Sequence, residues 1–144
     1  MTRTGVFWDG VEGRVPLPNA ARTLGFELIE ADPEQGTISV AFAGVEAFTN
    51  PFGEVLGAFL AAMLYDTVGP ALLATLPPGR FIETLDLNTT FVRPAHLGRL
   101  IGHGRIVDRV DDHATLEGTL YGADNQIVAT ATATARVIDL PSAA

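Results

Sequence analysis

The chain contains no cysteine and no lysine. Without cysteine, disulfides, thiolate catalysis and cysteine-held metals are excluded. Without lysine, Schiff-base chemistry is excluded as well. Serine is scarce: Ser39 falls in an expected strand and Ser142 in the C-terminal tail, and no G-x-S-x-G turn surrounds either. That pattern argues against a Ser-His-Asp hydrolase. The histidines, His96, His103 and His113, lack H-x-x-x-H spacing. Solvated or hydrogen-bonded surface histidines are the better reading, and no metal site is expected. What remains for catalysis is carboxylates, amides, threonines and the backbone.

Positive charge is thin. Nine basic residues, all arginine, face seventeen acids, for a net charge of −8. With no basic cluster, neither nucleic acid nor an anionic membrane surface is an expected partner. A polyphosphate ligand needs only a few placed arginines or a helix N-terminus, and stays open. The stretch Met1 to Gly10 lacks the basic start and apolar run of a signal peptide, so a cytoplasmic location is expected. At 144 residues, 47% of them hydrophobic and 18% charged, the chain is long and apolar enough for one domain with its own core.

Residues 1–24 read as a mixed lead-in. Phe7, Trp8 and Val11, at near-helical spacing, suggest a short helix before Pro16-Leu17-Pro18 breaks regular structure. Residues 25–138 form the expected domain and 139–144 a tail. Two strands, Phe26–Ala31 and Thr37–Ala43, flank a turn at Asp32-Pro33-Glu34-Gln35-Gly36. After a loop over Phe48–Glu54, the run Leu56–Leu76 is largely apolar, interrupted near its middle by Tyr65, Asp66 and Thr67. Asp66, the Gly69-Pro70 pair and the missing arginine and aromatic anchors argue against a membrane span. A helix apolar almost all round is then a buried one, stopped by Pro77-Pro78-Gly79. Four strands follow: Phe81–Val92, Arg99–Val110, His113–Tyr121 and Gln126–Ile138. In the last, Ala129 to Ala135 alternates alanine with threonine, the period of a strand packed closely on one face. The class is α+β, a mostly antiparallel sheet wrapped around one long central helix. Such a sheet leaves an edge strand and one flank of the helix uncovered, so at least a dimer is expected.

The segment Asn50-Pro51-Phe52-Gly53-Glu54-Val55-Leu56-Gly57-Ala58, continuing to Tyr65-Asp66, resembles the PaaI-like branch of the hotdog-fold thioesterases. That pattern has an Asn, a Gly three residues on, a His/Gln-Gly-Gly triplet opening the helix, and an acid two turns into it. Thr84-Leu85-Asp86-Leu87-Asn88 and Phe91-Val92-Arg93-Pro94-Ala95 extend the resemblance, which runs from about Trp8 to Val137. It implies a hotdog fold, hydrolysis of an acyl-coenzyme A, no cofactor, and a homodimer or homotetramer with each site built from both protomers. It also implies site residues: Gly57, with Ala58, polarising the carbonyl, Asp66 activating water, Asn50 and Thr84 positioning reactants, Tyr65 at the substrate, and Arg93 meeting a phosphate. The chemistry is coherent on its own terms. A thioester carbonyl turns negative in the tetrahedral transition state and needs preorganised donors, which a helix N-terminus at a glycine supplies. The attacking water needs a carboxylate base.

Two positions depart from the pattern. Counting from Asn50 and Gly57, the acid's place holds Tyr65, and the triplet's polar first member is Leu56. Either a π-bulge ahead of Gly69-Pro70 turns Asp66 into the acid's place, or Asp66 has a structural partner and the usual base is lost. A catalytically silent acyl-coenzyme A binding protein is therefore the rival reading. A hydratase would want a histidine near the helix start, and Phe48 to Asp66 has none. A DNA-binding regulator would need a helix-turn-helix segment and basic charge.

Overall fold

Apolar–polar alternation becomes a six-stranded sheet in the computed structural model, which describes residues 3–141. Ser142 and the end of the expected tail lie outside the described residues. Two short helices, α1 (Val6–Val11) and α2 (Asn19–Thr23), precede the first hairpin, β1 (Glu27–Asp32) and β2 (Thr37–Gly44). The long helix α3 (Gly57–Leu73) follows, then β3 (Arg80–Phe91), β4 (Gly98–Val110), β5 (His113–Tyr121) and β6 (Ile127–Asp139). The spatial order is β1-β2-β4-β5-β6-β3 and every pairing is antiparallel. Turn chemistry fixes the hairpins. Asp32 Oδ1 accepts from the amides of Glu34 and Gln35 (3.1 and 3.2 Å), with Gly36 at φ 69°. Asp111 and Asn125 take the left-handed conformation in the later turns.

The helix ends at Leu73, three residues before the expected Leu76. Local bonding explains this: Thr75 Oγ1 donates to the Leu72 carbonyl (2.6 Å), and the Thr75 and Leu76 amides donate to the carbonyls of Leu72 and Leu73. These tight three-residue turns close α3 before the prolines are reached. Trp8 Nε1 donates to the Ala74 carbonyl (3.0 Å), tying α1 to the same end. All of Gly57–Leu73 is α-helical, so the π-bulge, one of the two explanations for Asp66, is absent. Pro70 sits inside α3 and has no N–H to offer the Asp66 carbonyl. No helix among the described residues is long and apolar enough to cross a membrane.

What lets the sheet reach α3 is glycine in the strands. Gly102 and Gly104 on β4 and Gly118 on β5 lie under Thr67 and Val68. A Cβ at Gly102 would overlap Thr67 Oγ1; one at Gly104 would lie 2.9 Å from the Thr67 carbonyl oxygen, and one at Gly118 2.8 Å from Val68 Cγ1. Thr67 is fully buried, and its hydroxyl donates back to the Met63 carbonyl (2.7 Å). The alanines of β6 face the same interior, its threonines the outside.

A bulge in β3 controls which side chains reach the helix. Thr84 pairs with Ala135 and Asp86 with Thr134, leaving Leu85 as the extra residue. Asp86 holds the bulge by accepting from the Thr134 amide (3.1 Å) and hydroxyl (2.8 Å). Before the bulge, Ile82 and Thr84 face inward; after it, Leu87 and Thr89 do.

The glycine floor yields the first expectation. Gly102→Ala should cost about 1–3 kcal/mol by overpacking, and Thr67→Ala in the same chain should recover most of that loss, measured by thermal or urea unfolding. Gly104→Ala, whose Cβ meets the Thr67 carbonyl oxygen at 2.9 Å before the Thr67 Cγ2 methyl at 3.2 Å, should be rescued less. Equal rescue of both variants would show that the contact is not at the Thr67 side chain.

Candidate active site

Adjacent residues on α3 differ by about 100° in direction. That rotation alone separates Tyr65 from Asp66: Tyr65 is 50% exposed, whereas Asp66 turns inward and its Oδ2 is buried without a hydrogen-bond partner. Asp66 lies on the wall of an apolar cavity of about 250 Å³ between α3, β3 and the N-terminal segment. Phe7, Val11, Leu17, Phe26 and Leu73 supply much of its surface, and Thr84 faces it from β3. Burial pushes the Asp66 carboxyl from its ordinary 3.8 up to about 6, because the charged form loses water and gains nothing in exchange. An acid in this position is basic enough to take a proton and still mostly ionised near neutrality.

A second cluster forms at the N-terminus of α3. Leu56 caps the helix without a side-chain bond, and among the described residues no acceptor meets the amides of Gly57 or Ala58. The ring of Phe91 lies over Gly57, where a Cβ would sit 3.1 Å from two ring carbons. Asn50 is committed to the preceding loop: its Oδ1 accepts from the amides of Phe52 (2.9 Å) and Glu54 (3.0 Å), an Asx turn. Only its Nδ2 is left to meet a substrate. Arg93 is exposed, donates to Gln126 Oε1 (2.5 Å), and shares a shallow depression with Asn50 and Gly57.

Ala58 belongs to neither wall but to the uncovered flank of α3. With Ala61, Ala62 and Leu87 it lines a depression that also reaches Tyr65 and Asp66. Of the residues singled out in the sequence, Asp66, Tyr65 and Thr84 come together, and Asn50, Gly57 and Arg93 come together elsewhere. Asp66 lies nine helical steps beyond Gly57, a rise of about 13.5 Å. Within one chain, therefore, the helix N-terminus and the carboxylate do not act on the same carbonyl. Among the described residues no three His, Asp or Glu side chains gather as metal ligands. Sequence reasoning missed the N-terminal segment as a cavity wall and Phe91 as the cover of Gly57. The first had a legible signal in Phe7 and Val11; the second depends on the β3 bulge and had none.

A family model described as the thioesterase superfamily matches residues 52–129. A phenylacetic acid degradation-related protein from Ralstonia eutropha JMP134 is 38% identical, with a TM-score of 0.87 over 90% of this chain and 98% of that one. A thioesterase from Haemophilus influenzae is 18% identical with a TM-score of 0.81, over 98% of this chain and 96% of that one. The PaaI protein of the Escherichia coli phenylacetic acid degradation operon is 16% identical with a TM-score of 0.80, over 92% and 93%. These last two likenesses are of fold, and the fold is the hotdog. No curated protein matches the chain by sequence.

Asp66 has a signature in stability. Its folded-state pKa lies above its unfolded value, so its contribution is fully favourable below about pH 4 and is lost as pH rises towards 6. The loss is on the order of 3 kcal/mol. Asp66→Asn should therefore raise the melting temperature at pH 7.5 and flatten the fall in unfolding free energy across that window. An unaltered pH profile in the variant would show that the carboxyl titrates alike in the folded and unfolded chain, and that its burial costs no stability.

Proposed function

The chain belongs to the thioesterase superfamily, and on that premise we propose that it hydrolyses an acyl-coenzyme A thioester to free acid and coenzyme A, acting in the cytoplasm as a homo-oligomer. The observation that carries this reading is the buried, unpartnered Asp66 Oδ2 on the wall of an apolar cavity. An ionisable group held there at a cost in stability is a candidate for chemistry. Asp66 takes a proton from water as the water oxygen bonds to the thioester carbon. The tetrahedral intermediate then collapses, the carbon–sulfur bond breaks, and the protonated Asp66 returns its proton to the departing thiolate. Because the carboxyl titrates near 6, turnover rises through that pH and levels off above it.

The oxyanion needs donors that one chain cannot bring to Asp66. We assign them to Gly57 and Ala58 of a second copy, whose amides are free and whose helix end carries a partial positive charge. The surface supports this assignment. β3 is an edge strand exposing Leu85 (50%) and Phe91 (56%), beside the uncovered flank of α3 at Ala58 and Tyr65. Pairing two copies across it satisfies the edge and covers the apolar side chains. Asn50 Nδ2 and Thr84 are left to orient the thioester. To Arg93, which shares a depression with Gly57, we assign a phosphate of the coenzyme.

Two measurements test this. In a thiol-release assay, Asp66→Asn should lower kcat by about 10²–10⁴ with KM little changed, the ordinary loss of a general base. Tyr65 and Leu56, which stand where the family pattern has an acid and a polar residue, favour the silent-binder alternative. Slow turnover untouched by Asp66→Asn would establish that alternative, and a large gain in Tyr65→Asp would mark a thioesterase that has lost its base. In sedimentation at micromolar concentration the protein should run as a dimer or tetramer. A monomer that turns over at full rate would remove the second copy from the mechanism.

A further inference from the structure

We propose that the N-terminal segment, residues 6–21, closes the far end of the Asp66 cavity and restricts this protein to apolar acyl groups of medium length. Phe7 and Gly10 set the limit. The inference rests on the reading of Asp66 as the reacting group, and takes the cavity as the chamber for the acyl tail.

Along α3 the cavity is bounded by Asp66, Gly69, Pro70 and Leu73, one helical face spaced i, i+3, i+4, i+7. From Asp66 to Leu73 the helix rises about 10.5 Å. An extended chain advances about 3.5 Å over three bonds, so roughly nine bonds fill that distance. The near end, at Tyr65 and Asp66, adjoins the depression along the uncovered alanines, where a thioester would enter. The far end is α1. Trp8 Nε1 bonds the Ala74 carbonyl, and Phe7, 8% exposed, packs edge-on to Trp8 with ring centroids 5.2 Å apart. Phe7 is thus fixed on the cavity wall that Leu73 also lines, and serves as the end stop.

Size and polarity agree with that length. An apolar cavity of about 150 Å³ already admits benzene. At about 250 Å³ this chamber takes more than a ring, and a palmitoyl tail exceeds both its volume and its depth. Apart from Asp66, Tyr65 and Thr84 its lining side chains are apolar, so a polar group on the tail would be buried without a partner.

The experiment compares kcat/KM across coenzyme A thioesters from acetyl to palmitoyl. The wild type should peak near octanoyl to decanoyl and fall about tenfold or more at palmitoyl, the scale of a few ill-fitting methylenes. Gly10→Leu points a side chain into the chamber. Its Cβ meets only the Leu17 Cδ2 methyl, at 3.3 Å, and leucine suits a helix better than glycine. In this variant the octanoyl-to-butanoyl ratio should drop about tenfold. Phe7→Ala should move the peak to longer chains. Val15→Phe, on the same segment but outside the chamber lining, should leave the profile in place. A flat wild-type profile, or a Gly10→Leu that alters every thioester alike, would overturn the inference. If the wild type hydrolyses no thioester, the proposed function fails separately. Calorimetric binding of S-alkyl coenzyme A thioethers then decides the chamber: the same length dependence supports it, and its absence overturns it.

Discussion

The fit of Thr67 and Val68 onto the glycine floor of β4 and β5 fixes the rotation of α3 about its own axis, and the site follows from that rotation. With Thr67 pressed against Gly102 and Gly104, the preceding residue points about 100° away, towards β3 and the N-terminal segment. That residue is Asp66. One step further back, Tyr65 is carried out to the surface. No distortion of the helix is needed to bring the carboxylate to the cavity. The same contact leaves the alanine flank of α3 without a cover, because the sheet wraps the opposite side.

Burying Asp66 runs against stability. A carboxylate moved from water into an apolar wall without a hydrogen bond loses solvation, and its raised pKa is the measure of that loss. The surroundings add to the strain on this turn of helix, since Pro70 denies the Asp66 carbonyl its usual donor and the Thr67 hydroxyl bonds back to Met63. Close packing around Leu64, Val68 and Leu72 offsets these local costs. Conflict of this kind between local preference and global fold is what functional positions commonly show.

The β3 bulge is the second device that shapes the surface. By inserting Leu85 it hands the inner face from Thr84 to Leu87, and carries Phe91 to the helix N-terminus. One strand thus serves two places: its first half faces the apolar cavity and its second half covers Gly57. Because β3 is also an edge, the strand that lines the cavity is the strand a second copy would meet.

Much of this was legible in the sequence. Period-two alternation in Thr37–Ala43 and Ala129–Ala135, turn residues such as Asp32 to Gly36, and a long apolar run ended near paired prolines gave the strands, hairpins and central helix, because those signals are local. The resemblance at Asn50 to Asp66 pointed to the residues of both clusters. The glycines at 102, 104 and 118 carried a readable sign of close backbone approach, yet their partner across the fold was not in the sequence. Three matters belonged to tertiary structure alone. The direction of Asp66 depends on how α3 seats on β4 and β5. The use of Asn50 Oδ1 depends on the loop closing around it. The division of one expected site into two clusters depends on helical rise, which holds Asp66, near the middle of α3, about 13.5 Å from Gly57 at its start and leaves the sequence neighbours of a motif too far apart to share an atom.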